Sequence, residues 1–123
     1  MQPRDLTPAA IRDTLAELRP QTWPPRHRVH KYWGRKPANV VARYIELFTR
    51  PGESVLDPFS GSGVTVVEAS RLGRRGAGFD ANPLAVRLGR ALLAPPARES
   101  FDAASQRVLV ALEAEVSRWF STA

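Results

Sequence analysis

A chain of 123 residues has room for one small domain, and 43% hydrophobic with 24% charged residues describes an ordinary globular protein rather than a disordered one. The absence of cysteine excludes disulfides, a thiolate nucleophile and Cys-ligated zinc or iron–sulfur sites. No apolar run is long enough to span a membrane and the N-terminal stretch lacks the apolar core of a secretion signal, so the chain reads as intracellular and cytoplasmic; its net charge of +6 favours a polyanionic partner.

Residues 4–19 carry the first amphipathic pattern, with Leu6, Ile11, Leu15 and Leu18 at helical intervals. Thr7-Pro8 reads as a cap followed by a first-turn proline, and Pro20 marks the end. The segment from Pro20 to Pro37 is rich in proline and holds Trp23, Tyr32 and Trp33, which predicts an ordered loop around aromatic anchors. It also holds Arg26, Arg28, Lys31, Arg35 and Lys36 with His27 and His30, and no acid lies between Arg19 and Arg43. Such a cluster either contacts phosphate or forms a solvated basic loop. The two histidines, with no carboxylate near them in sequence, suit packing or basic roles better than a metal site.

From Ala38 to Thr49 the spacing predicts a helix, with Val41, Ile45 and Phe48 on one line and Val40, Tyr44 and Leu47 on the next; Pro51-Gly52 stops it. There follow a strand at Ser54–Leu56, an acidic glycine-rich turn from Asp57 to Gly63, and a helix at Val64–Leu72 with Val64, Val67 and Leu72 toward the sheet. A second strand at Ala77–Phe79 closes on Asp80. This is one βαβ unit in the order used to bind a nucleoside cofactor. Gly61 and Gly63 would let the backbone approach a ligand, and the hydroxyls of Ser62 and Thr65 are placed to cap the helix. Asp80 stands 23 residues after Asp57, near the distance at which an acid ending the second strand meets a ribose hydroxyl pair.

Asn82-Pro83 opens a helix reaching about Leu93 that should bury Leu84, Leu88 and Leu92, and Pro95-Pro96 ends it. A last amphipathic helix is predicted from about Asp102 to Phe120, its face of Val108, Leu112, Val116 and Trp119 or Phe120 needing a partner. Two strands cannot build a doubly wound core. The expectation is therefore an α/β chain with a partial Rossmann-like fold: one clear βαβ unit, flanking helices and an incomplete sheet. It divides into a lead-in (1–25), a cofactor-binding block (26–93) and a C-terminal helix leading to a segment supplied elsewhere (94–123).

DPFSGSG followed by Thr65 and Glu68-Ala69 resembles the cofactor motif of DNA methyltransferases that modify exocyclic amino groups, cytosine N4 or adenine N6. LGRRGAGFDANP is similar to the family's second motif, and HKYWGRKPANVVARYIELFTRPGE to the element preceding the first. Together they cover about residues 27–90. The resemblance implies S-adenosyl-L-methionine as cofactor. It places Asp57 near the positive end, Lys36-Pro37 beside the methionine end, and Phe59, Gly61 and Gly63 against the cofactor. Ser62 and Thr65 become local hydrogen bonders, Asp80 takes the ribose, and Asn82 with Pro83 flanks the adenine edge. DNA is the implied substrate, with Arg26, Arg28, Lys31 and Arg35 on phosphates, although RNA would satisfy the same chemistry.

The family's catalytic run (a polar residue, two prolines, an aromatic) is absent: Pro24-Pro25 lies between Trp23 and Arg26, and Pro95-Pro96 between two alanines. The chain alone is thus expected to be inactive and to rely on a catalytic segment from a longer or second chain. The alternatives are a non-catalytic or degenerate cofactor-binding remnant and a fragment of a methyltransferase acting on something other than DNA. Residue by residue, Asp57 has an alternative as a turn former, Asp80 as a helix-capping acid and Lys36 as a solvated lysine. Trp23 and Trp33 are as plausible as loop anchors as they are as base stackers.

Overall fold

The structure is a computed structural model that describes residues 7–28 and 30–120. In chain order it contains α1 (Pro8–Ala16), a short 3-10 turn (Pro25–His27), α2 (Ala38–Phe48), β1 (Ser54–Asp57), α3 (Val64–Arg71), β2 (Arg75–Gly78), α4 (Pro83–Leu93) and α5 (Arg98–Phe120). β1 and β2 pair in parallel with Ser54 opposite Arg75 and Asp57 opposite Gly78, the pairing a βαβ crossover produces. Among the described residues the sheet has these two strands alone. No helix among them is long and apolar enough to cross a membrane.

The second strand begins two residues earlier than the sequence predicts, at Arg75 rather than Ala77. Gly76, which precedes the predicted strand, is inside it, as is Gly78. A Cβ on Gly76 would lie 2.8 Å from the Val66 carbonyl oxygen, and one on Gly78 would lie 2.7 Å from a Val66 methyl and 2.8 Å from Ser60 Cβ. Helix α3 therefore sits so close on the sheet that β2 has no room for side chains on that face, a recognised reason for glycine inside a strand.

The core is small. It comprises Ala38, Ile45 and Leu47 of α2, Val64, Val66, Val67 and Ala69 of α3, and Ala85 of α4. Phe48 and Tyr44 are exposed and pack on each other with ring centroids 6.1 Å apart. On α4 the buried residue is Ala85; Leu88 and Leu92 are half-buried and Leu84 is exposed. The reason is again close approach: a Cβ at Gly63 would come within 3.0 Å of the Gly89 Cα. The contact face of α4 is thus the small-residue pair Ala85 and Gly89, one turn apart, and Leu84 turns outward.

The helix starts follow local chemistry. Thr7 caps α1, accepting from the Ala10 amide at 3.2 Å, and Asn82 caps α4, accepting from Leu84 N–H at 3.0 Å; each is followed by proline. α1 ends at Ala16 and buries no side chain; Leu6 lies outside the described residues. The α3 cap departs from expectation: Gly63, at φ 83°, occupies the position, and neither Ser62 nor Thr65 caps the helix. Both hydroxyls serve the site instead. α5 starts at Arg98, four residues before the predicted start, with an Arg98–Asp102 pair at 3.3 Å one turn apart. Its apolar residues Val108, Leu112, Val116, Trp119 and Phe120 are exposed.

Candidate functional site

β1 ends in a buried acid. Asp57 Oδ2 accepts from Thr65 Oγ1 at 2.6 Å and from Lys36 Nζ at 3.0 Å, while Oδ1 accepts the Phe59 N–H at 3.1 Å. Burial pushes this carboxyl up, but the bonds from Thr65, Lys36 and Phe59, with the charge of Lys36, outweigh it and hold Asp57 below its ordinary value. Thr65 reaches it from the first turn of α3, and Lys36 from the residue before Pro37, which stands at the start of α2. One carboxylate thereby fixes strand, turn, helix and basic segment relative to one another.

The second acid, Asp80, lies two residues past β2. Its Oδ2 accepts the Gly61 N–H and its Oδ1 the Asn82 N–H, both at 2.8 Å. It joins the glycine-rich turn to the cap of α4. A carboxylate accepts up to about four hydrogen bonds, so both oxygens retain acceptor capacity. Between the acids the turn is held by Ser60, whose N–H donates to the Phe79 carbonyl at 2.9 Å. Gly61, at φ 53°, would place a Cβ 3.2 Å from the Tyr32 ring, so the basic segment lies against the turn. Gly63, by contrast, is buried against Gly89 of α4; its freedom serves helix packing, not ligand approach. Phe59, 81% exposed, stands out at the tip. The space enclosed by Tyr32, Arg35, Lys36, Phe59, Gly61 and Val64 is only about 40 Å³. Lys36, Pro37 and Thr65 also border a groove of about 460 Å³ between α2 and β1, walled by Val40, Tyr44 and Val55.

The basic cluster divides in two. Arg35 Nε donates to Ser62 Oγ at 3.1 Å and its guanidinium also reaches the His30 carbonyl; partial burial lowers its pKa from the usual value. Arg26 Nε donates to Glu68 Oε1 at 3.2 Å. These two cations face the protein. Lys31 sits 4.5 Å over the Trp33 ring, and Arg28 is exposed with no partner among the described residues. Trp23 is a loop anchor, its indole N–H donating to the Lys36 carbonyl at 3.3 Å.

Sequence reasoning missed one cluster. Glu68 and His27 are each 1% exposed, and His27 Nε2 lies 2.7 Å from Glu68 Oε1, so its N–H donates to the carboxylate. Arg71 closes the other side, donating to Oε2 at 2.6 Å. Burial raises the Glu68 carboxyl, and the bonds from His27, Arg26 and Arg71 bring it below the ordinary value. His27 Nδ1 has no protein partner among the described residues, an omission that typically costs about 1–3 kcal/mol. The available signal was positional: Glu68 falls one turn after Val64 on the buried stripe of α3, and a buried acid needs cations, which this chain concentrates at residues 26–36.

The order of these elements matches a known group of proteins. The family model for DNA methylase, of N6/N4 type, fits residues 12–90. The chain belongs to that DNA methylase family. Over 67 residues it is 42% identical to the type II methyltransferase M2.DpnII of Streptococcus pneumoniae, covering 51% of this chain and 25% of that protein. Over 48 residues it is 42% identical to the type II methyltransferase M.HindIII of Haemophilus influenzae, covering 39% of this chain and 16% of that one. The chain thus spans a quarter or less of these curated relatives. Among solved structures it is similar to M1.HpyAVI, with 28% identity, a TM-score of 0.44, and coverage of 46% of this chain and 32% of the other. The DNA methylase family uses S-adenosyl-L-methionine. In this member the donor set suits that group: a free acceptor capacity on Asp80, an exposed ring at Phe59 and a buried anion at Asp57.

Proposed function

We propose that residues 26–93 form the S-adenosylmethionine-binding portion of a DNA methyltransferase acting on the exocyclic amine of adenine or cytosine, with the catalytic polar-Pro-Pro-aromatic run supplied from outside these 123 residues. The observation that carries it is the placement of Asp57 and Asp80 at the C-terminal ends of neighbouring parallel strands, on either side of a glycine-rich turn that both carboxylates hold through its N–H groups. Open α/β sheets bind ligands there. The cofactor, when bound, supplies a methyl group on a sulfonium, and the protein's part is to align it. Asp80 would accept the ribose hydroxyls with the capacity its two loop bonds leave free. Phe59 and Asn82 would border the nucleoside, and Lys36 and Asp57 the methionine end. Since the enclosed space is only about 40 Å³, most of the ligand would lie across the exposed surface of Phe59, Asp80 and Asn82. Arg28 and Lys31, the outward members of the basic cluster, would meet DNA phosphates.

Calorimetric titration of S-adenosylmethionine into the purified chain tests the reading. The paired variant is Asp80→Asn, which keeps an acceptor oxygen for one of the two loop N–H groups, whereas Asp80→Ala would release both Gly61 and Asn82. Saturable binding weakened at least tenfold by Asp80→Asn supports the assignment. A folded chain that evolves no heat removes it.

A further inference from the structure

The cluster around Glu68 is farther along α3 than the proposed cofactor residues, and nothing in that proposal uses it. Its cost is visible: an acid and an imidazole are almost fully buried, and one ring nitrogen finds no protein partner. A buried ion pair is weak evidence of stabilisation, since an apolar pair of similar volume often packs as well; its better-attested use is to fix one arrangement among several. The arrangement fixed here is that of the 3-10 turn Pro25–His27 on α3.

From that turn a stiff connection leads to the site. Pro24 and Pro25 lock two successive φ angles between the turn and Trp23. Trp23 then binds Lys36 from the side, its indole N–H on the Lys36 carbonyl and its ring 5.6 Å from the Arg35 guanidinium. Lys36 carries the ammonium on Asp57, and Arg35 the bond to Ser62 in the glycine-rich turn. We propose that His27 and Glu68 are positioning residues: by seating the 3-10 turn on α3 they set, through Trp23, where Lys36 and Arg35 stand over the glycine-rich turn. This rests on the cofactor reading only for its consequence in binding; the positional coupling stands or falls separately.

The test uses the isotope-labelled full chain as His27→Gln and Glu68→Gln, with Trp23→Phe assigning the Trp23 indole resonance. In folded variants, the Trp23 indole N–H and the Lys36 amide should shift, and indole exchange with solvent should accelerate about tenfold while β1 amides hold still. Unchanged Trp23 and Lys36 resonances in a folded variant overturn the proposal. Should both core variants unfold, Arg26→Gln removes a single, partly exposed donor from Glu68 and should move the same resonances the same way by less; no movement there is equally fatal. For binding, His27→Gln should weaken S-adenosylmethionine about tenfold in the native background and add little once Lys36→Met is present. Equal losses in both backgrounds overturn the coupling. A folded wild type that binds no cofactor removes the cofactor reading alone, and the indole shift still decides the positional one.

Discussion

The two faces of the β1–β2 sheet are built on opposite terms. On one, Val55, Asp57, Gly76 and Gly78 lie under α3, which approaches until Val66 excludes any side chain from β2. On the other, Leu56 and Ala77 and, continuing the alternation, Phe79 are open, with Leu56 at 63% and Phe79 at 65% exposure. Parallel sheets are ordinarily covered on both faces. The contrast teaches where this chain is self-sufficient. The covered face holds the acid, the turn and the helix that make up the candidate site, and each is fixed by residues present here.

The comparison breaks most sharply at Gly76. Gly76→Val should destabilise the chain by about 3 kcal/mol, at the upper end of ordinary overpacking, because the obstacle is the Val66 backbone and no rotamer relieves it. Urea denaturation reads this directly, and a loss under ~1 kcal/mol would mean that α3 can lift off the sheet. Next in size is Thr65→Val, which removes a 2.6 Å bond to a buried carboxylate; about 1.5–3 kcal/mol is expected.

Acid probes the same face. Asp57 and Glu68 both have folded-state pKa values depressed below their unfolded ones. Each therefore contributes stability that is complete above the ordinary carboxylate range and disappears as pH falls through the lower folded value. The urea midpoint should be level near neutrality and fall below about pH 4, and Thr65→Val, by bringing the folded pKa of Asp57 back toward its unfolded one, should make that fall smaller. A midpoint independent of pH down to 2 would contradict the hydrogen-bond assignments. The smallest effect belongs to the open face. Leu56→Ser should change stability by no more than ~0.5 kcal/mol and reduce self-association in sedimentation. A loss above ~1 kcal/mol would show that Leu56 is covered in solution.

What was legible in the sequence was local. β1, the turn, α3 and the two capped helix starts follow from short-range rules, and the acids ending each strand were found by their spacing. Lys36 is singled out by resemblance alone, and the structure shows its bond to Asp57. The misreadings arise where two elements meet. Gly76 falls outside the predicted strand because the reason for a glycine there, Val66, is on another element. Leu84 looked buried because apolar spacing cannot report that α4 meets α3 through Ala85 and Gly89. His27 lacked a carboxylate nearby in sequence and found one on α3 at Glu68. The hydroxyls of Ser62 and Thr65 were competed away from capping by Arg35 and Asp57.

The approach of Gly63 to Gly89 has a bearing on inheritance. A Cβ at Gly63 would lie 3.0 Å from the Gly89 Cα, and Gly63 also needs its left-handed φ. A side chain gained at Gly63 would push α4 away and carry with it the Asn82 cap and the Asp80 carboxylate bound to that cap, whereas a Cβ at Gly89 would meet Gly63 at an ordinary 3.7 Å. Mutational drift at Gly63 would thus be felt at Asp80, on the far side of the turn. In any lineage of this chain, Gly63 should be as hard to replace as Asp80 itself.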